Sequence, residues 1–289
     1  MPDREVLADL ERAGIVASGQ AARAVAGGSI SRTVRLETNG GPVLLKLESP
    51  DGADLLAAEA ESLEALRDSA SVAVPAVLAQ GIAGSQAYLA LQWIEFRSKS
   101  PAAERRLGAE LALLHRRMAS DFGWHRDNYI GRTPQPNDRS DEWLAFFRDR
   151  RLRYQLGLAR RNGVGGEACE LGAALLADLE RFFDGRRVQP SLLHGDLWGG
   201  NWGATAGGTP YLFDPASYFG DREADLAMTR LFGGFGHAFY EAYEAAWPLD
   251  AGWERRVELY NLYHLLNHFN LFGGMYRGQV VATLRGLLG

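Results

Sequence analysis

The chain has 289 residues, 46% of them hydrophobic and 23% charged, with a net charge of −5 at pH 7. This is the composition of a folded globular protein. It excludes the basic footprint of a nucleic-acid binder, and the length calls for one large domain or two lobes. The single cysteine, Cys169, rules out an intramolecular disulfide framework and reads as a small packed residue.

In chain order, "MPDREVLADLERAG" is acidic and helical in pattern, unlike a secretory leader. No window approaches the ~18 consecutive apolar residues of a membrane span. The expectation is a cytoplasmic protein with no membrane partner. "VAGGSISRTVRL" (residues 25–36) sets Gly27, Gly28 and Ser29 before an alternating strand. Glycines there either form an ordinary hairpin turn or let backbone N–H groups approach a phosphate. "RTVRLETNGGPVLLKLES" alternates, turns at Asn39-Gly40-Gly41 and alternates again, which predicts a hairpin. "DLLAAEAESLEALRD" predicts a helix, and "VPAVLAQGIAGSQAYLALQWIEF" two more strands around a Gly-rich turn.

From residues 94–100 onward the pattern becomes helical. Leu107, Leu111 and Leu114 share one face, and "DEWLAFFRDRRLRYQLGLARRNG" and "ELGAALLADLERFF" read as further helices. The arginines of 148–153 and 160–161 are expected on solvated faces. Two short strands, "PSLLH" and "YLFD", precede helices that run to the end. A β-rich lobe over residues 1–95 followed by a larger, mainly helical lobe over 96–289 is an α+β, two-lobed architecture.

Three constellations carry chemistry. Lys46 lies on a predicted strand on the same face as Leu44, and alone it reads as a solvated edge residue. Glu59 alters that reading. Leu55, Leu63 and Leu66 place it on the inward face of its helix, where a carboxylate needs a partner. A strand lysine paired with a helix glutamate is how protein kinases hold ATP phosphates. His194-Gly195-Asp196, four residues, then Asn201 reproduces the aspartate–asparagine spacing of the kinase catalytic loop. In that pattern Asp196 serves the attacking hydroxyl and Asn201 a Mg²⁺ ion. Asp214 then either binds the same cation or only starts the turn before Pro215.

"HGDLWGGN", "DFGWHRDNYIGRTPQPN", "FDPASYFGDREADLAMTRLFGGF" and "NLYHLLNHFNLFGGMY" resemble the fructosamine kinase (ketosamine 3-kinase) family, over nearly the whole chain from Gly27 onward. The resemblance implies a bilobal protein-kinase-like fold and ATP-dependent phosphorylation of the 3-hydroxyl of ketosamines, free or on protein lysines. It implies Lys46 and Glu59 as the phosphate-anchoring pair and Asp196 as catalytic base. Asn201 and Asp214 become Mg²⁺ ligands, Gly27, Gly28 and Ser29 the turn over the phosphates, and the backbone at Gln92, Trp93 and Ile94 the adenine contact. Serine at 29, where some relatives carry a redox-active cysteine, implies no redox-controlled dimer, leaving a monomer or weak homodimer. Gly200 stands where many members have serine, which leaves the fold intact and the loop looser. The open alternatives are another small-molecule kinase of this fold, for an aminoglycoside or choline-like alcohol, and a non-catalytic nucleotide-binding regulator.

Trp198 is either a core residue or a wall of the acceptor pocket, and Asp127, Asn128 and Tyr129 either line the acceptor site or shape their loop. His264 and His268, four apart on a helix, read as packing residues before a metal pair, because the glutamate of the zinc motif is missing. His115 is expected to be buried, His194 to brace the catalytic loop, and Asp225 to anchor the loop after Asp214.

Overall fold

A computed structural model describes residues 1–20, 22–25 and 31–289. Helix α1 (Arg4–Arg12) starts at Asp3, whose side chain accepts from the Val6 N–H at 3.0 Å. A five-stranded antiparallel sheet follows, built from β1 (Arg23–Ala24), β2 (Arg32–Thr38), β3 (Gly41–Glu48), β4 (Val77–Ala83) and β5 (Gln86–Gln92) in the order β1-β2-β3-β5-β4. The expected β2–β3 hairpin closes with Thr38 opposite Gly41. Period-two alternation then sorts the strand residues between two faces. Val34, Leu36, Val43, Leu45 and Leu47 pack with Val6 and Leu10 of α1 on the outer face. Leu44 and Lys46 face the other way, towards α2 (Ala53–Asp68) and the helical lobe.

Residues 93–100 lead from β5 to α3 (Pro101–His115), which begins with Ser100 capping the Ala103 N–H at 3.2 Å and Pro101 in the first turn. Leu107, Leu111 and Leu114 are buried together, as their spacing predicts. Next comes a two-stranded hairpin, β6 (Asn128–Ile130) with β7 (Thr133–Gln135). The predicted helix from residue 141 is three segments: α4 (Trp143–Phe146), a π-helical stretch Phe147–Arg153, and α5 (Tyr154–Arg161). The wider turn changes the helical register, and Arg151 is fully buried. Its guanidinium lies 4.0 Å from the Tyr218 ring centroid and 4.6 Å from that of Phe146, and it donates to Asn137 Oδ1 at 2.6 Å. The expectation of a solvated arginine run fails here, while Arg148, Arg150 and Arg153 do pair with Asp149 and Asp138 at the surface.

After α6 (Gly166–Ala177), β8 (Ser191–Leu192) pairs with β11 (Phe219–Gly220), and β9 (Trp202–Ala204) with β10 (Pro210–Leu212). Helices α7 (Arg222–Leu231), α8 (His237–Ala246), α9 (Trp253–Phe272) and α10 (Arg277–Leu288) complete the lobe. No helix among the described residues is long and apolar enough to cross a membrane.

Candidate active site

The loop leaving β8 is held from behind. Gly195 has φ +85°, and a Cβ there would collide with the Ala216 carbonyl, so only glycine lets the chain pass. Asp225, on α7, accepts the N–H groups of His194 at 2.7 Å and Gly195 at 2.9 Å. Burial pushes its carboxyl up, but His115, at 3.2 Å, and these N–H groups outweigh that and hold it below the usual range. Asp225 thus anchors the loop before Asp196, not the one after Asp214 as expected. His115 is buried, with Nδ1 2.8 Å from the Tyr243 hydroxyl. His194 is the brace that was expected: Nε2 donates to Phe213 O at 3.0 Å and Nδ1 accepts from the Asp196 N–H at 3.3 Å. Burial lowers its pKa, keeping it neutral.

Asp196 then faces a cavity of about 660 Å³ between the sheet and the helical lobe. Burial, with the negative charge of Asp214 behind it, pushes its carboxyl up to about 7. Asn201 turns back, its Nδ2 donating to Asp196 O at 2.9 Å and Oδ2 at 3.1 Å. Asp214, two residues past β10, has φ +56°, a left-handed conformation that aspartate tolerates better than most residues. Lys46 joins the two lobes, since Nζ donates to Glu59 Oε1 at 2.5 Å and to Asp214 Oδ1 at 2.7 Å. Burial works to discharge this lysine, and the two carboxylates outweigh it, so its pKa is raised and it stays an ammonium.

Lys46, Glu59, Gln92, Trp93, Ile94, Asn128, Asp196, Trp198, Asn201 and Asp214 all line this one cavity. The Gln92 N–H is taken by Ala76 O at 2.9 Å. The backbone groups of Trp93 and Ile94 have no backbone partner among the described residues. Asn128 is buried, its Nδ2 donating to Ser217 O and its Oδ1 accepting from Gln135 and Asn137, each at 2.8 Å. Asp127 is not a lining residue; its carboxylate accepts from the Asn137 N–H at 2.7 Å. Tyr129, on the same hairpin, does reach the cavity. Gly27, Gly28 and Ser29 lie outside the described residues.

Trp198 is 39% exposed and meets Phe232 edge-on with ring centroids 6.3 Å apart. Its ring lies back across Gly200, where any Cβ would run into it. Glycine at 200 thus leaves the space that the ring occupies.

A cation fits the donor set. With both Nδ2 protons engaged on Asp196, Asn201 Oδ1 has no hydrogen-bond partner among the described residues, and Asp214 is 44% exposed on its side chain. Two oxygen donors suit Mg²⁺, which keeps waters and phosphate oxygens in its shell.

The fructosamine kinase family model matches residues 6–289. The chain belongs to the fructosamine kinase family. This family member is 42% identical to a probable ketoamine kinase of Synechocystis over 93% of this chain and 90% of that one. It is 36% identical to the protein-ribulosamine 3-kinase of Arabidopsis thaliana over 90% and 80%. The crystal structure of a putative fructosamine-3-kinase from Thermobifida fusca superposes with a TM-score of 0.87 at 32% identity over 99% of both chains. An aminoglycoside phosphotransferase superposes with a TM-score of 0.68 at 18% identity over 97% of both, which shows the shared protein-kinase-like fold. Like its family, the chain is an enzyme of the kinase class.

His264 and His268 do not converge on a site. His268 Nδ1 lies 2.8 Å from the His264 carbonyl of its own helix, and His264 is 4% exposed with Nδ1 unpartnered among the described residues. Burial, then the neighbouring His268, lowers the His264 pKa to about 3. The unfolded chain takes up this proton near the ordinary histidine value and the folded chain does not, so stability is lost as pH falls below about 6.5. The variant His264→Phe should be more stable relative to wild type at pH 5 than at pH 7.5, by about 2 kcal/mol. Urea midpoints at the two pH values check this, and an unchanged difference refutes it.

Proposed function

We propose that this fructosamine kinase family member transfers the γ-phosphoryl group of MgATP to the 3-hydroxyl of ketosamines, the sugar adducts of free amines or protein lysines. The observation that carries the reading is the convergence of Lys46, Glu59, Asp196, Asn201 and Asp214 on one cavity in a chain of this family. Residues 1–95 form the nucleotide-binding lobe and 96–289 the catalytic and acceptor-binding lobe. The backbone of Trp93 and Ile94 receives the adenine. Lys46, held by Glu59, orients the phosphates, and Gly27, Gly28 and Ser29 contribute to phosphate binding. Asn201 and Asp214 hold the Mg²⁺, which supplies charge neutralisation when bound. Asp196 accepts the hydrogen bond of the sugar hydroxyl and takes its proton as the hydroxyl oxygen bonds to the γ-phosphorus, whose bond to the β–γ bridging oxygen breaks so that ADP leaves with that oxygen. Its high pKa suits the role, since a base poised near the working pH transfers protons best. Positioning and charge supply the rate.

The test offers purified protein MgATP with ribulosyl-lysine, fructosyl-lysine, choline and an aminoglycoside, and follows ADP release. Release with either ketosamine is expected. Release only with choline or the aminoglycoside overturns the acceptor class, and nucleotide binding without release on any acceptor favours a regulator.

Trp198 forms the wall against which the sugar packs. Gly200→Ala drives that ring aside, so the acceptor KM should rise about three- to tenfold with the ATP KM unchanged. Steady-state kinetics in both substrates decides it; equal changes in both KM values remove Trp198 from the acceptor site.

A further inference from the structure

Helix α2 carries Glu59, yet it belongs to the sheet lobe, and Glu59 can hold Lys46 only if the helix stays against the cleft. The segment just before and within the β6–β7 hairpin of the helical lobe reaches across to it. Arg126 donates through Nη2 to Asp54 Oδ1 and through Nη1 to Glu61 Oε1, the latter at 3.1 Å. The second oxygen of each carboxylate is also taken. The Tyr129 hydroxyl donates to Asp54 Oδ2 at 2.9 Å, and His125 Nε2 lies 3.1 Å from Glu61 Oε2. Asp54 is in the first turn of α2 and Glu61 two residues past Glu59, so the contacts bracket Glu59 along the helix. Although burial works against it, the hydrogen bonds from Arg126 and Tyr129 hold the Asp54 carboxyl below its usual value.

The base of this arm is rigid. Asn128 donates to Ser217 O at 2.8 Å, the Tyr263 hydroxyl donates to Gln135 Oε1 at 2.6 Å, and buried Arg151 donates to Pro136 O at 2.6 Å and to Asn137 Oδ1. The Gly123 and Phe219 backbones exchange two hydrogen bonds of 2.9 Å. A buried polar network joined by this many hydrogen bonds holds its geometry, although Arg151 Nε and Ser217 Oγ have no partner among the described residues. An arm anchored in the helical lobe therefore grips the helix of the other lobe on both sides of its inward glutamate.

We propose that Arg126 is a positioning residue, locking α2 to the helical lobe so that Glu59 holds Lys46 in place before any substrate arrives. The inference rests on the kinase reading above. It also deepens it: the lysine–glutamate pair needs no separate activating event, and the cavity-lining Tyr129 ties the same clamp to the site.

The test compares wild type with Arg126→Met, Arg126→Lys, Glu59→Gln and the double variant Arg126→Met/Glu59→Gln. Arg126→Met should lower kcat by up to about 10²-fold, the scale set by small misplacements of a catalytic group, and Arg126→Lys should recover part of it. In the Glu59→Gln background the Arg126→Met change should add little, because both act through one pair. Independent, multiplying losses overturn the proposal. If Arg126→Met fails to fold, the helix-side pair Asp54→Asn/Glu61→Gln is read in its place. If wild type turns over no acceptor, the kinase reading fails by itself. Amide exchange of residues 53–68 then decides the clamp: faster exchange in Arg126→Met supports it, and unchanged exchange overturns it.

Discussion

With Asp196 as the proposed base, Asp196→Asn should lower kcat by about 10²- to 10⁴-fold, the usual contribution of a positioned general base, while MgATP should still bind. The exchange keeps the shape and removes the charge that takes the proton. Titration calorimetry with a non-hydrolysable ATP analogue separates the two effects, and normal turnover sinks the assignment of the base. Stability moves the other way. The native carboxyl keeps its proton up to about pH 7 because burial and Asp214 disfavour the charged form, whereas the unfolded chain releases it near the ordinary aspartate value. Native protein thus holds the extra proton between about pH 4 and 7, and stability falls as pH rises through that window. Asparagine removes the penalty. Nucleotide-free Asp196→Asn should be more stable than wild type at pH 8, by up to a few kcal/mol on the order of the pKa shift, with the difference vanishing near pH 4. Thermal unfolding without Mg²⁺ at both pH values measures it. Reduced activity with raised stability marks a group kept for function against the fold.

The second large effect is Lys46→Met. This side chain is the shared partner of Glu59 and Asp214, and its removal leaves two carboxylates facing one cavity without a cation. Losing one side of a buried pair costs about 3–5 kcal/mol. Asp214 is partly open to water and Glu59 is not, at 44% and 14% side-chain exposure, so the lower end is expected and Glu59 supplies most of it. The penalty should shrink as pH falls, because protonating Glu59 relieves its uncompensated charge. Lost hydrogen bonds to the phosphates should also raise the ATP KM about ten- to a hundredfold, as charged hydrogen bonds do. Unfolding at pH 8 and pH 5, with ATP-dependent kinetics, checks both. An unchanged melting temperature and ATP KM together would remove Lys46 from the site.

The charge sites also show where reading a chain by spacing stops working. Alternation along β3 and the 3.6-residue period of α2 turn Lys46 and Glu59 towards each other, and both periods are local, so the pair is legible thirteen residues apart. The same holds for Asp196 and Asn201, whose loop is short enough for five residues to dictate one mutual geometry. The faces of α3, the two hairpins of the sheet and the place of the loop after β8 follow by the same rule. No local period encodes that Lys46 also meets Asp214, 168 residues on.

Arg151 reads as one of a run of surface arginines. Its burial depends on a π-helical turn and on Tyr218, which arrives from another part of the chain. Asp225 reads as an anchor for the segment nearest to it in sequence, yet the packing of α7 under β8 gives it the His194 and Gly195 N–H groups. No local period links Arg126 with Asp54 and Glu61; they meet only because the segment leading into the β6–β7 hairpin crosses to α2. Gly200 reads as a looser loop, and only the resting place of the Trp198 ring shows that the glycine also makes room for that ring. Patterning by itself therefore determined the two lobes, the mutual placement of Asp196 and Asn201 and the lysine–glutamate pair, because backbone periodicity orients side chains within an element. The tertiary structure alone decided which distant charges complete the site and which arm holds it, because those contacts depend on how the elements dock.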